Sequence, residues 1–172
     1  SLVSTSLAKY LTGGAFLGRN FIDLDSTASA HYLLAKPKVF AGDFKIEMNY
    51  STLSTANGLA ILGNTASVDG LQWVSNSIRV RAESATWQFS YVLPRDGLLR
   101  TLAVEREGVN LMLFLDGVAV EVITANSTSI MTINQIGDGF NAANSFSGII
   151  SQVELTDLTT PANSEYYRLN SL

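Results

Sequence analysis

The chain has 172 residues, 47% hydrophobic and only 15% charged, with a net charge of -4, 13 Gly, 3 Pro, no Cys and one His. That length suits one domain spanning residues 1–172 with a core of its own. The missing cysteines exclude a disulfide scaffold, thiolate metal sites and a cysteine nucleophile, and the lone His31 excludes a multi-histidine metal site.

Apolar and polar residues alternate along the chain, which is the signature of half-buried strands. A strand begins at Tyr32-Leu33-Leu34, just after His31, which reads as a packed or edge histidine. Phe44–Tyr50 alternates cleanly, as does Ser77–Ala82. Thr86–Val92 is aromatic and alternating, with Trp87 and Tyr91 sharing one face. Leu99–Arg106 and Asn110–Leu115 form a hairpin about Gly108, and Asp116-Gly117 joins the second of these to Val118–Ile123. An Asp-Gly pair favours the primed turn of a tight hairpin. Ile130–Ile136 and Phe146–Leu155 complete the pattern. Leu2–Leu11 is the best helical candidate, although it lacks charge on an outer face. From Pro161 onward the chain is polar and reads as an irregular tail. Strands at this spacing, with Gly and Asn turns, imply an all-β sandwich or barrel.

The scattered Lys and Arg argue against nucleic acid, which requires a concentrated basic face. No apolar run approaches the roughly 18 residues of a membrane span, so membrane insertion is not expected. The start, Ser1–Thr5, shows no signal peptide, so the expectation is a processed piece or a protein that needs no such leader. With 19 Ser, 14 Thr and 12 Asn, the surface is rich in hydroxyls and amides, a composition common in secreted and virion β-proteins.

The order of motifs resembles one superfamily. Gly58–Gly63 is followed by Ser77–Arg81 and by Leu102–Gly108, which ends in Arg106-Glu107-Gly108. Leu111–Gly117 then ends in Asp116-Gly117, Ile133–Gly137 ends in Ile136-Gly137, and Phe146-Ser147-Gly148-Ile149-Ile150 leads to Val153–Asp157. This succession resembles the concanavalin A-like lectin/glucanase superfamily in its laminin-G-like branch. The resemblance covers about residues 14–158 and leaves 159–172 as a C-terminal tail. It departs from the pattern at Leu99-Arg100-Thr101, where relatives often carry Trp or His. Asn163–Asn170 is similar to a segment that follows such domains in bacteriophage and prophage tail proteins. The resemblance implies a jelly-roll β-sandwich of two antiparallel sheets, with sugar bound on or beside a concave face.

The candidate ligand-binding residues follow from sugar chemistry. Trp73 and Trp87 offer indole faces for a pyranose ring, with Tyr91 beside Trp87, although Trp87 reads first as core packing. Asn64, Asp69, Asn76 and Arg81 supply amides and charges for sugar hydroxyls, or simply make a polar loop. Glu105 and Glu107 share a strand face, but they abut a turn and lack the E-x-D-x-x-E acid strand of laminarinase-type relatives. The expectation is therefore no catalytic residues and no enzyme, with a polysaccharide hydrolase or lyase ranked last. No cofactor is expected. Calcium is frequent in the family and would need the oxygens of Asp138–Asn141, Asp69 or Asp43, none of which forms a loop of alternating acids. Asn49-Tyr50-Ser51 and Asn126-Ser127-Thr128 match the glycosylation sequon, which chance also produces.

The sequence reading is a non-catalytic carbohydrate-binding module of a phage or prophage virion, in a tail fibre, spike or decoration protein. It would adhere to host surface glycan as a homo-oligomer among other virion subunits, on the virion or outside the cell. The alternative is a structural virion domain that packs against neighbouring subunits without binding sugar.

Overall fold

The computed structural model describes residues 2–4, 15–16, 19–20, 22–24, 32–56, 58–83, 85–125, 129–138 and 146–168. His31, the Asn126 sequon and Gly139–Asn141 lie outside the described residues.

The strands, in chain order, are β1 (Leu2–Ser4), β2 (Ala15–Phe16), β3 (Arg19–Asn20), β4 (Ile22–Leu24), β5 (Tyr32–Phe40), β6 (Phe44–Ser51), β7 (Leu59–Gly63) and β8 (Gly70–Val74). They continue as β9 (Ser77–Ala82), β10 (Ala85–Gln88), β11 (Arg100–Glu107), β12 (Asn110–Leu115), β13 (Val118–Thr124), β14 (Met131–Ile136), β15 (Gly148–Asp157) and β16 (Glu165–Arg168). One turn of 3-10 helix, Pro161–Asn163, is the only helical element among the described residues.

Two antiparallel sheets carry the fold. The first runs β1-β5-β14-β7-β8-β9-β10, and the second runs β13-β12-β11-β6-β15-β16 with β4 also on β15; β2 and β3 make a small separate pair. Consecutive hairpins such as β7-β8-β9-β10 and β11-β12-β13 alternate with pairings between distant strands, β6 with β15 and β14 with β5 and β7, as a jelly roll requires. The alternating segments fold as their pattern dictates. In β11 the inward Leu102 and Val104 are fully buried, while Glu105 between Val104 and Arg106 lies half-buried on the other side. The core between the sheets joins Tyr50, Trp73 and Phe146 through ring contacts of 5.4 and 6.4 Å, with Phe40 against Phe44 at 5.1 Å. Burying one such ring contributes about 4–6 kcal/mol, from 150–250 Å² at ~25 cal/mol per Å².

The turns obey the expected chemistry. Asp116 and Gly117 both take positive φ, 52° and 81°, as a primed hairpin turn needs. Asp116 also ties the turn down, with Oδ1 accepting the Thr101 N–H at 2.9 Å and Oδ2 accepting from Arg100 at 2.9 Å.

Three expectations are corrected. Leu2–Ser4 is a strand paired with β5, because an extended segment satisfies that sheet edge; the rest of the helical candidate lies outside the described residues. The aromatic strand stops at Gln88 and does not run to Val92. Glu121 causes this, since its carboxylate accepts the Ser90 N–H at 2.8 Å and the Tyr91 N–H at 2.7 Å, drawing the chain off the first sheet. The polar C-terminal segment is not irregular throughout, because Glu165–Arg168 pairs with Gln152–Leu155 and extends the second sheet.

Candidate functional site

The residues singled out from the sequence do not converge. Trp73 is corrected first: it is 1% exposed, at the centre of the aromatic core, with the Arg95 guanidinium 5.2 Å above its ring. No sugar reaches it. Trp87 stands opposite Val80 and packs on the core from the sheet edge, where its indole N–H donates to the Ala125 carbonyl at 2.6 Å. Phe89, two residues after Trp87 and so on the same side by the strand period, is buried in the core. Tyr91 is 36% exposed and lies beyond that strand.

The polar candidates split between two places. Asn64 is buried, and its Oδ1 accepts the Ala66 N–H at 2.9 Å, closing a local turn. Asp69 is buried as well, with Oδ1 on the Glu83 N–H at 2.7 Å and Oδ2 on the Thr132 N–H at 3.0 Å. Both oxygens are committed to backbone, so Asp69 clamps strands and has none to offer a sugar. Arg81 is half-buried on β9, between Gly70 and Thr86. Asn76 lies at the other end of β8, in the two-residue turn with Ser75, where both take positive φ. Five strand residues separate these ends, about 13 Å.

The calcium ligands fare similarly. Asp43 Oδ1 accepts the Gly108 N–H at 2.9 Å, and Asp69 is committed as above. Asp138 is 1% exposed. No three acidic or histidine side chains gather to hold a metal among the described residues. The Asn49 sequon is also closed: that side chain is 4% exposed and bonded to Thr101 and Gln152.

What the structure does assemble is a polar surface on the outward face of the second sheet. In register across six strands run Tyr166, Glu154, Glu47, Ala103, Phe114 and Ala119. Directly paired residues of an antiparallel ladder project to the same face, so this is one continuous row. A second row holds Gln152, Asn49 and Thr101, linked by Asn49 Nδ2 donating to Gln152 at 3.5 Å and Thr101 Oγ1 donating to Asn49 at 2.9 Å. A third runs Thr156, Lys45, Glu105, Met112 and Val122, and Lys45 reaches Glu47 at 3.0 Å. The face is therefore polar over β15, β6 and β11 and apolar over β12 and β13. Tyr166 stands at its rim, 49% exposed. Carboxylates, amides and an ammonium at this spacing suit a ligand rich in hydroxyls, and an aromatic rim suits its apolar side. Of this face the sequence singles out Glu105 with Glu107, and Asn49 as a sequon; Glu107 points to the same side as Glu105 but is exposed at the hairpin end. The signal was the polar half of each alternating strand, which becomes a site only once the strand order is known.

No protein-family model and no curated protein sequence matches the chain. Solved structures do resemble it. Domains LG4-5 of the mouse laminin α1 chain superpose with a TM-score of 0.55 at 21% identity, over 87% of this chain and 42% of that one. The enzymatically active domain of bacteriophage CBA120 tailspike protein 2 superposes with a TM-score of 0.57 at 14% identity, over 95% of this chain and 28% of that one. The full-length tailspike protein 2 of this Escherichia coli O157:H7 bacteriophage gives 0.50 at 14% identity, over 95% and 25%. The chain thus has the concanavalin A-like jelly-roll fold of laminin-G type, a fold that tailspike structures also contain. It spans less than half the length of each of these three chains. The comparison also corrects the expectation that the chain is not an enzyme. The fold is shared with an enzymatically active domain, so the missing E-x-D-x-x-E strand excludes nothing about catalysis.

Proposed function

We propose that this chain is a glycan-binding domain of a phage or prophage tail protein, in a fibre, spike or decoration protein, and that it holds host surface glycan on the polar half of the open face. The observation that carries this reading is the six-strand row from Tyr166 through Glu154 and Glu47 to Phe114, flanked by the amide row Gln152–Asn49. Shared fold with a tailspike domain supports the tail setting. An open sheet face desolvates a sugar only partly, so single sites are weak and adhesion relies on copies acting together. The reading therefore includes a homo-oligomer, or copies arrayed among other virion subunits, on the virion or outside the cell.

A second reading is favoured by the other half of the same face. Met112, Phe114 and Val122 form an apolar patch, and Val122 is 57% exposed. Such a patch suits packing against a neighbouring virion subunit. The two readings separate on an array of bacterial surface polysaccharides probed with the multivalently presented domain, with and without calcium. Selective binding supports the glycan reading. Silence in both conditions, with self-association that Val122→Lys abolishes, supports the packing reading and overturns the first.

A further inference from the structure

The sandwich has a pocket of about 380 Å³ where β5 of the first sheet meets the β16 edge of the second. Lys36, Pro37 and Lys38 line one side, and Asn163, Ser164 and Glu165 line the other. The sequence explains the opening. Between Leu33, opposite Gln135, and Lys38, opposite Ile133, the ladder register shifts, so Leu34–Pro37 face Asn134 alone. Pro37 has no N–H to give the ladder, which suits this bulge.

Lys38 shares the inward direction of its partner Ile133, and it is 4% exposed. Its stem runs beside Phe40, with the ammonium 5.4 Å from that ring. The ammonium donates to the Asn163 carbonyl oxygen. An ammonium carries three donors. Among the described residues Lys38 has no second acceptor and no ion pair. Lys36, exposed on the bulge, lines the same pocket and also forms no ion pair among the described residues. The carboxylate in the pocket, Glu165, accepts the Tyr167 phenol O–H. Ser164 Oγ accepts the Asp157 N–H at 3.1 Å and keeps its own proton to donate. The wall therefore holds two ammonium groups, one carboxylate and a free hydroxyl donor.

We infer that this pocket takes one acidic sugar residue, with its carboxylate at Lys36 and Lys38 and its ring hydroxyls at Ser164 and Glu165. The inference rests on the glycan-binding reading but places a second contact away from the open face. It gives that reading a substrate class, a glycan carrying uronic or sialic-type acids. A volume near the low end of ligand pockets suits a single ring.

The test is an amide NMR titration of the intact chain with glucuronate and N-acetylneuraminate, against glucose and N-acetylglucosamine as neutral arms and inorganic phosphate as an anion without a ring. The expected result is shifts at Lys36–Val39 and Asn163–Glu165 with the acidic sugars only. Lys36→Gln, on an exposed side chain, weakens that binding about tenfold, and Lys36→Arg retains it. Equal response to neutral sugars, or phosphate binding as tightly as the sugars, overturns the inference; the second result marks an adventitious anion site. Shifts confined to Glu47, Glu154 and Tyr166 overturn the pocket and leave the open face standing. Shifts at the pocket with the open face silent do the reverse.

Discussion

Glu47 and Glu154 stand directly opposite each other on neighbouring strands, with both carboxylates on the same open face. Like charges so placed are destabilising, by up to ~1 kcal/mol. Lys45 offsets part of this at 3.0 Å from Glu47, and Thr156 Oγ1 donates to Glu154 at 3.3 Å. A fold that keeps such a pair on its surface holds acceptors ready for hydroxyl donors. Glu154→Gln should raise the unfolding free energy measured in urea at low salt by up to about 1 kcal/mol, with a higher midpoint, and the gain should shrink as salt screens the pair. An unchanged or lower midpoint would show that the two carboxylates do not repel.

Asp69 holds β8, the end of β9 and the start of β14 together through two backbone N–H groups. Removing the carboxylate leaves two backbone donors without acceptors, one at half-buried Thr132 and one at exposed Glu83. Asp69→Ala should cost roughly 2–4 kcal/mol, at 1–3 kcal/mol for the Thr132 donor and about 1 kcal/mol for the donor at exposed Glu83. Glycan binding by the folded fraction should be unchanged, and a loss of binding at full folding would return Asp69 to the site.

Gly70 sits at φ +134°, and a Cβ there would lie 2.0 Å from the Leu62 carbonyl oxygen. That atom is backbone in the paired strand and cannot turn aside. Gly70→Ala should destabilise by at least ~3 kcal/mol, measured by thermal or urea unfolding. A loss under ~1 kcal/mol would mean that β7 and β8 can separate at this point at little cost.

Asp96 is held below the usual carboxylate range, chiefly by its hydrogen bond from Arg100 and then by the Leu98 N–H. A depressed carboxyl stabilises the fold above its unfolded pKa, and this contribution is lost as pH falls through the folded value. Asp96→Asn should therefore lose less stability than the wild type between neutral and acid pH in low salt. An identical pH dependence would show that the exposed pair contributes nothing.

Much of the sandwich was legible because alternation and turn chemistry are local. Phe44–Tyr50, Ser77–Ala82 and the Gly108 and Asp116-Gly117 turns sit where the sequence puts them. β16 was hidden, because its pairing with β15 depends on a partner strand and its own residues are polar. Arg106 was hidden too. It falls on the inward face, 2% exposed, because its guanidinium bonds the Gly42 and Ser129 carbonyls over the Phe44 ring. The site was the least legible part. An aromatic in a polar stretch reads as a sugar platform, yet Trp73 is the residue the core is built around. Which polar residues share a surface depends on strand order, and strand order joins residues more than a hundred positions apart, as in Glu47 with Glu154.

The most direct test compares two exposed tyrosines, Tyr166 on the open face and Tyr91 beyond β10, 49% and 36% exposed. On the strongest glycan found by the array, the multivalent domain should lose about tenfold in affinity with Tyr166→Ala and stay unchanged with Tyr91→Ala. Loss with Tyr91→Ala and none with Tyr166→Ala would contradict the open face as the binding surface.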